Sequence, residues 1–305
     1  MSIDLIGVKR YIGSTFFKIH MQLMDGRKVS QEILRSLASE VQELAKMHIH
    51  PKLAVILVGN DPASLSYIRQ KQKACTSTGI EWVQFDYDNT ATTEELIEKV
   101  EELNADELIH GILVQLTLPK EVYAPEVIKA IDPKKDVDGF TAYNLGKMFL
   151  SREFEDLAPC TPLGVIRMLE YYEIEVKGKE VVVVGHSNIV GKPLSMMLLN
   201  RNATVTTCHI DTADLAFHTK RADILCVGVG KPGLIKAEMV KEGVVVVDIG
   251  VNRLDDGRLT GDCDFNAISE KASYITPVPG GAGPMTVACL MENTVKAAKR
   301  INNLK

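Results

Sequence analysis

The stretch VVVVGHSNIVGKP, from Val181 to Pro193, constrains the fold of this chain more than any other. Its consecutive valines are β-branched and too few to make a helix of their own, which suits a parallel strand covered on both faces. Gly185 opens a turn, Pro193 fits the first turn of a helix where its missing N–H costs nothing, and that helix runs on to Asn200. Strand, glycine turn and helix together aim backbone N–H groups and the positive end of a helix at whatever lies above the strand, which suits a phosphate. The spacing from Gly185 to Gly191, with Ser187 between, does not meet the G-x-G-x-x-G fingerprint. A glycine turn in any α/β protein therefore stays open as the alternative.

A chain of 305 residues exceeds one average core, so two domains are expected. A net charge of -5 and the absence of any basic run with interleaved aromatics argue against a nucleic-acid partner. No apolar stretch approaches the ~20 residues needed to cross a bilayer, so the sequence reads as soluble, with no membrane partner. Cys75, Cys160, Cys208, Cys226, Cys263 and Cys289 form no C-x-x-C pair and have no histidine at ligand spacing. They read as reduced core residues and not as a metal site. Residues 1–20 lack the uninterrupted apolar core of a secretory signal. Met21 precedes a periodic helix and is a candidate natural start, with residues 1–20 an extension; the intact mass of protein from its native source tests this.

From Met21 the chain alternates. A helix over about Arg27 to Met47 leads to a strand at Leu53 to Val58, a helix after Pro62, a strand at Trp82 to Tyr87, an acidic helix through TEELIEKVEEL and the apolar strand GILVQL. Strands alternating with helices imply parallel pairing, with the functional edge at the carboxyl ends of the strands. In GNDPASLSYIRQKQKACTSTG, Asp61 can cap, Pro62 fits the first turn and Gly79 follows the end of a helix whose buried stripe is Leu65, Ile68 and Cys75. Tyr67 and Lys71 lie one above the other at the boundary of that stripe. Lys71 there is either a cleft residue shielded by the aromatic ring or a solvated lysine, as Arg69 and Lys73 are. Gln115 interrupts a run that should be buried on both sides, and a buried amide needs partners; it bonds either a loop backbone or a functional group. Asp136 and Asp138, at i and i+2 before Gly139, point to a metal or to a turn, and the turn is favoured because no third ligand lies close in sequence.

A second domain begins near Pro159-Cys160-Thr161-Pro162, two prolines ahead of the helix LGVIRMLEYY. After the glycine turn and its helix come the strand TVTTCH, a helix at TADLAFHTKR, the strand DILCVGV, the turn GKPG, a helix at AEMVKEG and the strand VVVVDIG, which is the pattern of a doubly wound sheet. The strand after the glycine turn ends at Cys208-His209, where an NAD-binding sheet often carries an acid for the ribose hydroxyl. Asp211 lies further on, so a phosphorylated ribose is compatible with the sequence. Near the end, a Pro/Gly loop precedes a long helix with Pro284 in its first turn, in position to return to the first domain.

Six motifs in order, Y-I-R-Q-K-Q-K-A, G-I-L-V-Q-L, K-D-V-D-G-F, P-C-T-P, V-V-V-G-H-S-N-I-V-G-K-P and P-V-P-G-G-A-G-P-M-T, closely resemble the bacterial bifunctional methylenetetrahydrofolate dehydrogenase/cyclohydrolase family, from about Met21 to Lys299. The resemblance implies an enzyme of one-carbon metabolism that oxidises 5,10-methylenetetrahydrofolate with NADP and hydrolyses the methenyl product to 10-formyltetrahydrofolate. It implies a cytoplasmic homodimer paired through its nucleotide-binding domains, acting on tetrahydrofolate derivatives. It further implies two α/β domains, the second Rossmann-like and doubly wound, with a folate cleft between them: residues 21–158 plus 285–305 form the catalytic domain and 159–284 the NADP-binding domain. Carried over by motif, Lys71 matches the catalytic lysine, Tyr67 the tyrosine lining the folate, Gln115 the glutamine bonded to that lysine, and Asp138 the aspartate holding the pterin. Val114 and Leu116, flanking Gln115, fall with it in the substrate wall. Pro279, Gly280 and Gly281 match the loop over the substrate, and Gly185, His186, Ser187 and Val251 match nucleotide contacts. This chain departs from the usual pattern at His186, where many members have Arg, and at Ile210, where Ser is common. The alternatives are a monofunctional NAD(P)-dependent dehydrogenase and a folate- or nucleotide-binding module without catalysis.

Overall fold

The computed structural model of the chain describes residues 21–304, and the reading of residues 1–20 as an extension lies outside them. A short strand β1 (Gln22–Leu23) precedes α1 (Gly26–Lys46), whose first turn is capped by the Asp25 carboxylate accepting from the Arg27 and Lys28 amides. Then β2 (Lys52–Val58), α2 (Pro62–Thr78), β3 (Glu81–Tyr87), α3 (Thr93–Ala105) and β4 (Gly111–Val114) alternate. The strands form a parallel sheet in the order β3-β2-β4. The short helices α4 (Ala124–Ala130) and α5 (Ala142–Met148) lead to α6 (Cys160–Tyr171).

The second half adds β5 (Glu180–Val184), α7 (Gly191–Leu199), β6 (Thr204–Cys208), α8 (Leu215–Thr219), β7 (Ile224–Val227) and β8 (Val245–Asp248). The hairpin β9 (Asn252–Arg253) and β10 (Leu259–Thr260), α9 (Phe265–Ser269), β11 (Tyr274–Ile275) and α10 (Ala282–Ile301) complete it. Six parallel strands run β1-β11-β8-β7-β5-β6. The strand order reverses at β5, which has β6 on one side and β7 on the other, so the crevice above Gly185 is the switch point at which α/β sheets bind ligands. The expected two-domain α/β architecture, with a doubly wound Rossmann-like second sheet, is the one observed. Gln22–Leu23 joins the outer edge of that second sheet.

The valines of β5 are buried on both faces, and so are Leu53 to Val58 of β2, as parallel strands covered by helices require. Leu53, Val55 and Leu57 share one cluster with Leu290, Met291 and Val295 of α10, so the last helix returns to complete the core of the first domain. Local differences from the sequence reading have physical causes. AEMVKEG, expected as a helix, forms only a single 3-10 turn at Ala237–Met239: Val240 is buried in extended conformation and Gly243 turns at positive φ, leaving too few residues to offset helix nucleation. The helix expected over TADLAFHTKR narrows to α8. Pro162 lies inside the first turn of α6 and not ahead of it, and the strand in GILVQL stops at Val114.

Candidate active site

α2 is positioned by its ends. The Asp61 carboxylate accepts from the Ser64 amide, Pro62 occupies the first turn, and Gly79 closes the helix in the left-handed region with its amide on the Cys75 carbonyl. Between them Ile68 and Cys75 face the core, and Cys75 touches Met291 of α10. Lys71, three residues after Ile68 and four before Cys75, belongs to the same stripe and is only 8% exposed, deeper than the boundary position expected for it. Its ammonium donates to Gln115 Oε1 at 2.8 Å, and Gln115 Nε2 donates to the Leu116 carbonyl at 2.6 Å. Gln115 itself is fixed just past β4 by its amide on the Ile56 carbonyl. The amide that interrupts an apolar run therefore has partners on both sides, one of them the lysine.

Of the two neighbouring aspartates, Asp136 is the structural one. It accepts from the amides of Gly139, Phe140 and Thr141 and from Asn144 Nδ2, which builds the turn into α5. Gly139 turns at φ +75, and a Cβ there would stand 2.6 Å from the Ala158 carbonyl carbon, so the turn must be glycine. Asp138, the residue before that glycine, acts on Lys71 through charge. Asp138 keeps some exposed surface as a residue, yet its carboxyl lies so deep among protein atoms that lost solvation dominates and raises its pKa. Lys71 opposes that rise, and Asp136 adds to it. Burial pushes the Lys71 amine down from the ordinary lysine range, against the pull of Asp138. Both shifts favour the neutral forms. Cys160 stands against the same carboxylate, its thiol raised by burial and by the Asp138 charge.

The sequence reading missed Asn293 as part of this wall. Its Nδ2 donates to the carbonyls of Val137 (2.8 Å) and Ala158 (2.9 Å), tying α10 to both sides of the turn that carries Asp138. The signal was available, because Asn293 is a polar residue on the stripe of α10 that Leu290 and Ala297 bury. Thr161 and Thr286 are likewise joined through their hydroxyls at 2.9 Å, where α6 and α10 begin.

Three cavities lie around the strand ends. Tyr67, Val251, Asp248 and the loop Pro279–Gly281 line one of about 410 Å³, which brings Tyr67, that loop and Val251 together. Gly185, His186 and Ser187 line a second of about 510 Å³ with His209, Ile210 and Lys231; among its lining residues none is acidic. Leu116 lines a third, about 520 Å³, beside α7, and Val114 is buried at the end of β4. In the second cavity Gly185 has φ +118, and a Cβ on Gly191 would lie 2.0 Å from the Gly185 carbonyl oxygen, so both glycines are needed to wrap the turn against the helix. The rings of His186 and His209 sit 4.9 Å apart at its mouth, and Ile210 is 89% exposed. Amides above β5, two imidazoles and a lysine fit a nucleotide bearing an extra phosphate. All six cysteines are buried and free.

Fold and cavities together define a two-domain α/β protein in which a dinucleotide-type sheet adjoins a second cavity lined by Tyr67, one helical turn from the buried Lys71. Comparison with known proteins makes the class specific. Residues 24–138 match the family model of the tetrahydrofolate dehydrogenase/cyclohydrolase catalytic domain, and residues 159–302 that of its NAD(P)-binding domain. The bifunctional protein FolD of Nautilia profundicola is 56% identical over 92% of this chain and 98% of its own length. That of Bacillus licheniformis is 55% identical over 91% and 97%. The crystal structure of the bifunctional methylenetetrahydrofolate dehydrogenase/cyclohydrolase of Campylobacter jejuni superposes with a TM-score of 0.90 at 48% identity, covering 92% of this chain and 99% of that one. The enzyme of Trypanosoma brucei, solved with NADP cofactor and an inhibitor, gives 0.89 at 35% identity over 92% and 98%. The chain belongs to the tetrahydrofolate dehydrogenase/cyclohydrolase family.

Proposed function

We infer that the chain oxidises 5,10-methylenetetrahydrofolate to 5,10-methenyltetrahydrofolate with NADP and hydrolyses that product to 10-formyltetrahydrofolate. The observation that carries the reading is a buried amine held at 2.8 Å by a neutral amide, beside a carboxylate and one helical turn from Tyr67. NADP supplies the acceptor for the hydride that leaves the methylene carbon. The protein supplies orientation: Tyr67 lines one side of the folate, the Pro279–Gly281 loop covers it, and Asp138 accepts from the N–H groups of the amino-pyrimidine edge. Val114 and Leu116 complete the wall around Gln115. Gly185, His186, Ser187 and Val251 are the residues we assign to the nucleotide.

Hydrolysis adds water to the methenyl carbon and breaks that carbon's bond to N5; the water oxygen gives up both its protons as the formyl group forms, one ending on N5 and the other released. Lys71 serves this step in one of two ways. As a neutral amine it takes a proton from that water; as an ammonium it orients the water and polarises the folate. Gln115 holds the amine without the opposing charge a carboxylate would add. The test mixes the protein with 5,10-methylenetetrahydrofolate and each nicotinamide cofactor and follows reduced cofactor and 10-formyl product separately. Formation of both products with NADP is expected. Reduced cofactor without 10-formyl product would leave a monofunctional dehydrogenase, and neither product a binding module.

We further propose the domain division 21–158 plus 285–305 and 159–284, a cytoplasmic location, and a homodimer paired through the nucleotide-binding domains. Support for the pairing is that β6 is an outer strand of the six-stranded sheet; sedimentation at micromolar concentration tests it. Among the described residues no helix is long and apolar enough to cross a membrane.

A further inference from the structure

A buried carboxylate of the second domain, outside the wall just described, joins the two ligand cavities. Asp262 is fully buried. Its Oδ2 accepts from the amides of Val229 (2.7 Å) and Gly230 (3.0 Å), and its Oδ1 from the amide of Lys231 (2.8 Å) and from Asn252 Nδ2 (2.8 Å). Three consecutive amides converging on one site make an anion-binding nest, and here the chain fills it with its own carboxylate. The amides belong to the turn after β7, where Val229 and Lys231 line the cavity that holds His186. Asn252 lies between Val251 and Arg253, which line the cavity that holds Tyr67. The segment leading to Val251 runs hard against the same group, since a Cβ on Gly250 would stand 2.2 Å from Asp262 Cγ. The backbone of Asp262 is fixed in turn by Asp248, which accepts from the amides of Gly250 (3.1 Å), Asp262 (3.0 Å) and Cys263 (2.8 Å) and lines the Tyr67 cavity itself.

We propose that Asp262 is a positioning residue that holds the nucleotide-side turn Val229–Lys231 in register with the Val251 wall, so that bound nucleotide faces the folate at hydride-transfer distance. The inference rests on the NADP reading above. An alkyl side chain could fill the space but could not draw three amides and an amide side chain to one point; charge-assisted bonds do so with direction as well as strength. Hydride transfer depends on that alignment, whereas hydrolysis of the methenyl compound, supplied directly, needs no nucleotide. This difference gives a readout that general support of the fold would not.

The experiment measures NADP binding by calorimetry and, without nucleotide, hydrolysis of added methenyltetrahydrofolate. For Asp262→Asn, whose amide turns a donor toward the nest, the NADP dissociation constant should rise at least about tenfold while nucleotide-free hydrolysis stays within about twofold of the parent. Asn252→Ala cuts only the link to the Val251 segment, and should raise the constant by roughly threefold with the melting temperature unchanged, which keeps the test valid if the first variant folds poorly. Parent-like NADP affinity in both variants overturns the inference, and so does a loss of hydrolysis in step with binding. Failure of the parent itself to bind NADP would instead overturn the functional reading on which the inference stands.

Discussion

Lys71 and Lys135 are both buried and both have their amines pushed down by that burial, yet they are built for different ends. Lys135 donates to three carbonyls where α3 ends, those of Leu103 (3.0 Å), Asn104 (2.8 Å) and Asp106 (2.7 Å). It satisfies acceptors that a helix terminus leaves open, and its three protons are used. Lys71 makes one hydrogen bond among the described residues, to Gln115, with Asp138 acting on it through charge. A buried cation with every proton engaged is a structural clamp; one with protons to spare is available for chemistry.

The largest effect expected from breaking this contrast is in Lys71→Met, which keeps the apolar stem and removes the nitrogen. Hydrolysis of methenyltetrahydrofolate should fall by about 10²-fold or more, the scale of a lost proton-handling group, while calorimetry shows NADP affinity unchanged and the melting temperature no lower. A parent-like hydrolysis rate would make Lys71 a packing residue. Lys135→Met should do the reverse, lowering unfolding free energy by roughly 2–4 kcal/mol through the stranded carbonyls, with turnover per folded molecule intact; urea titration and active-site counting separate the two. Next in size, Asp138→Ala should weaken folate binding by roughly 10- to 100-fold, the loss of a charge-assisted pair, with NADP affinity nearly constant. Equal loss of both affinities would assign Asp138 to the turn before Gly139.

The smallest effect is in pH dependence, and its sign follows from the depressed amine. An unfolded lysine keeps its proton up to about pH 10.5, whereas folded Lys71 gives it up earlier. Between those points the unfolded state binds more protons, so the stability of the parent climbs with pH, by at most about 1.4 kcal/mol per pH unit. The stability advantage of Lys71→Met should therefore be greatest at neutral pH and fade as pH approaches 10.5. Denaturant melts of both proteins at stepped pH measure it, and a constant difference would mean that Lys71 titrates alike in both states.

Much of this site was legible because its signals are local. Caps at Asp61 and Gly79 frame α2, helical periodicity places Tyr67 above Lys71, and a glutamine in an apolar run marks Gln115. The depth of Lys71 was not legible, since it depends on the wall that Gln115, Asp138 and Cys160 form across the amine. Asn293 and Asp262 were passed over for a related reason: they act on backbone groups 156 and 33 residues away, and no spacing rule reaches that far. At His186 and His209 the sequence supplied the residues, and the structure brought their rings together.

The return of α10 to the first domain also has a consequence for synthesis. Val287, Cys289, Leu290, Met291, Val295 and Ala297 fill a core whose other buried members lie between Leu37 and Cys160. On the ribosome, the segment that bears Lys71 must wait with an open apolar face until the final helix clears the exit tunnel, while β5 to β8 of the second sheet have emerged and can pair beforehand. The core of the first domain is thus completed last, and a chain that lost its last helix would leave Leu53, Val55 and Leu57 without that cover.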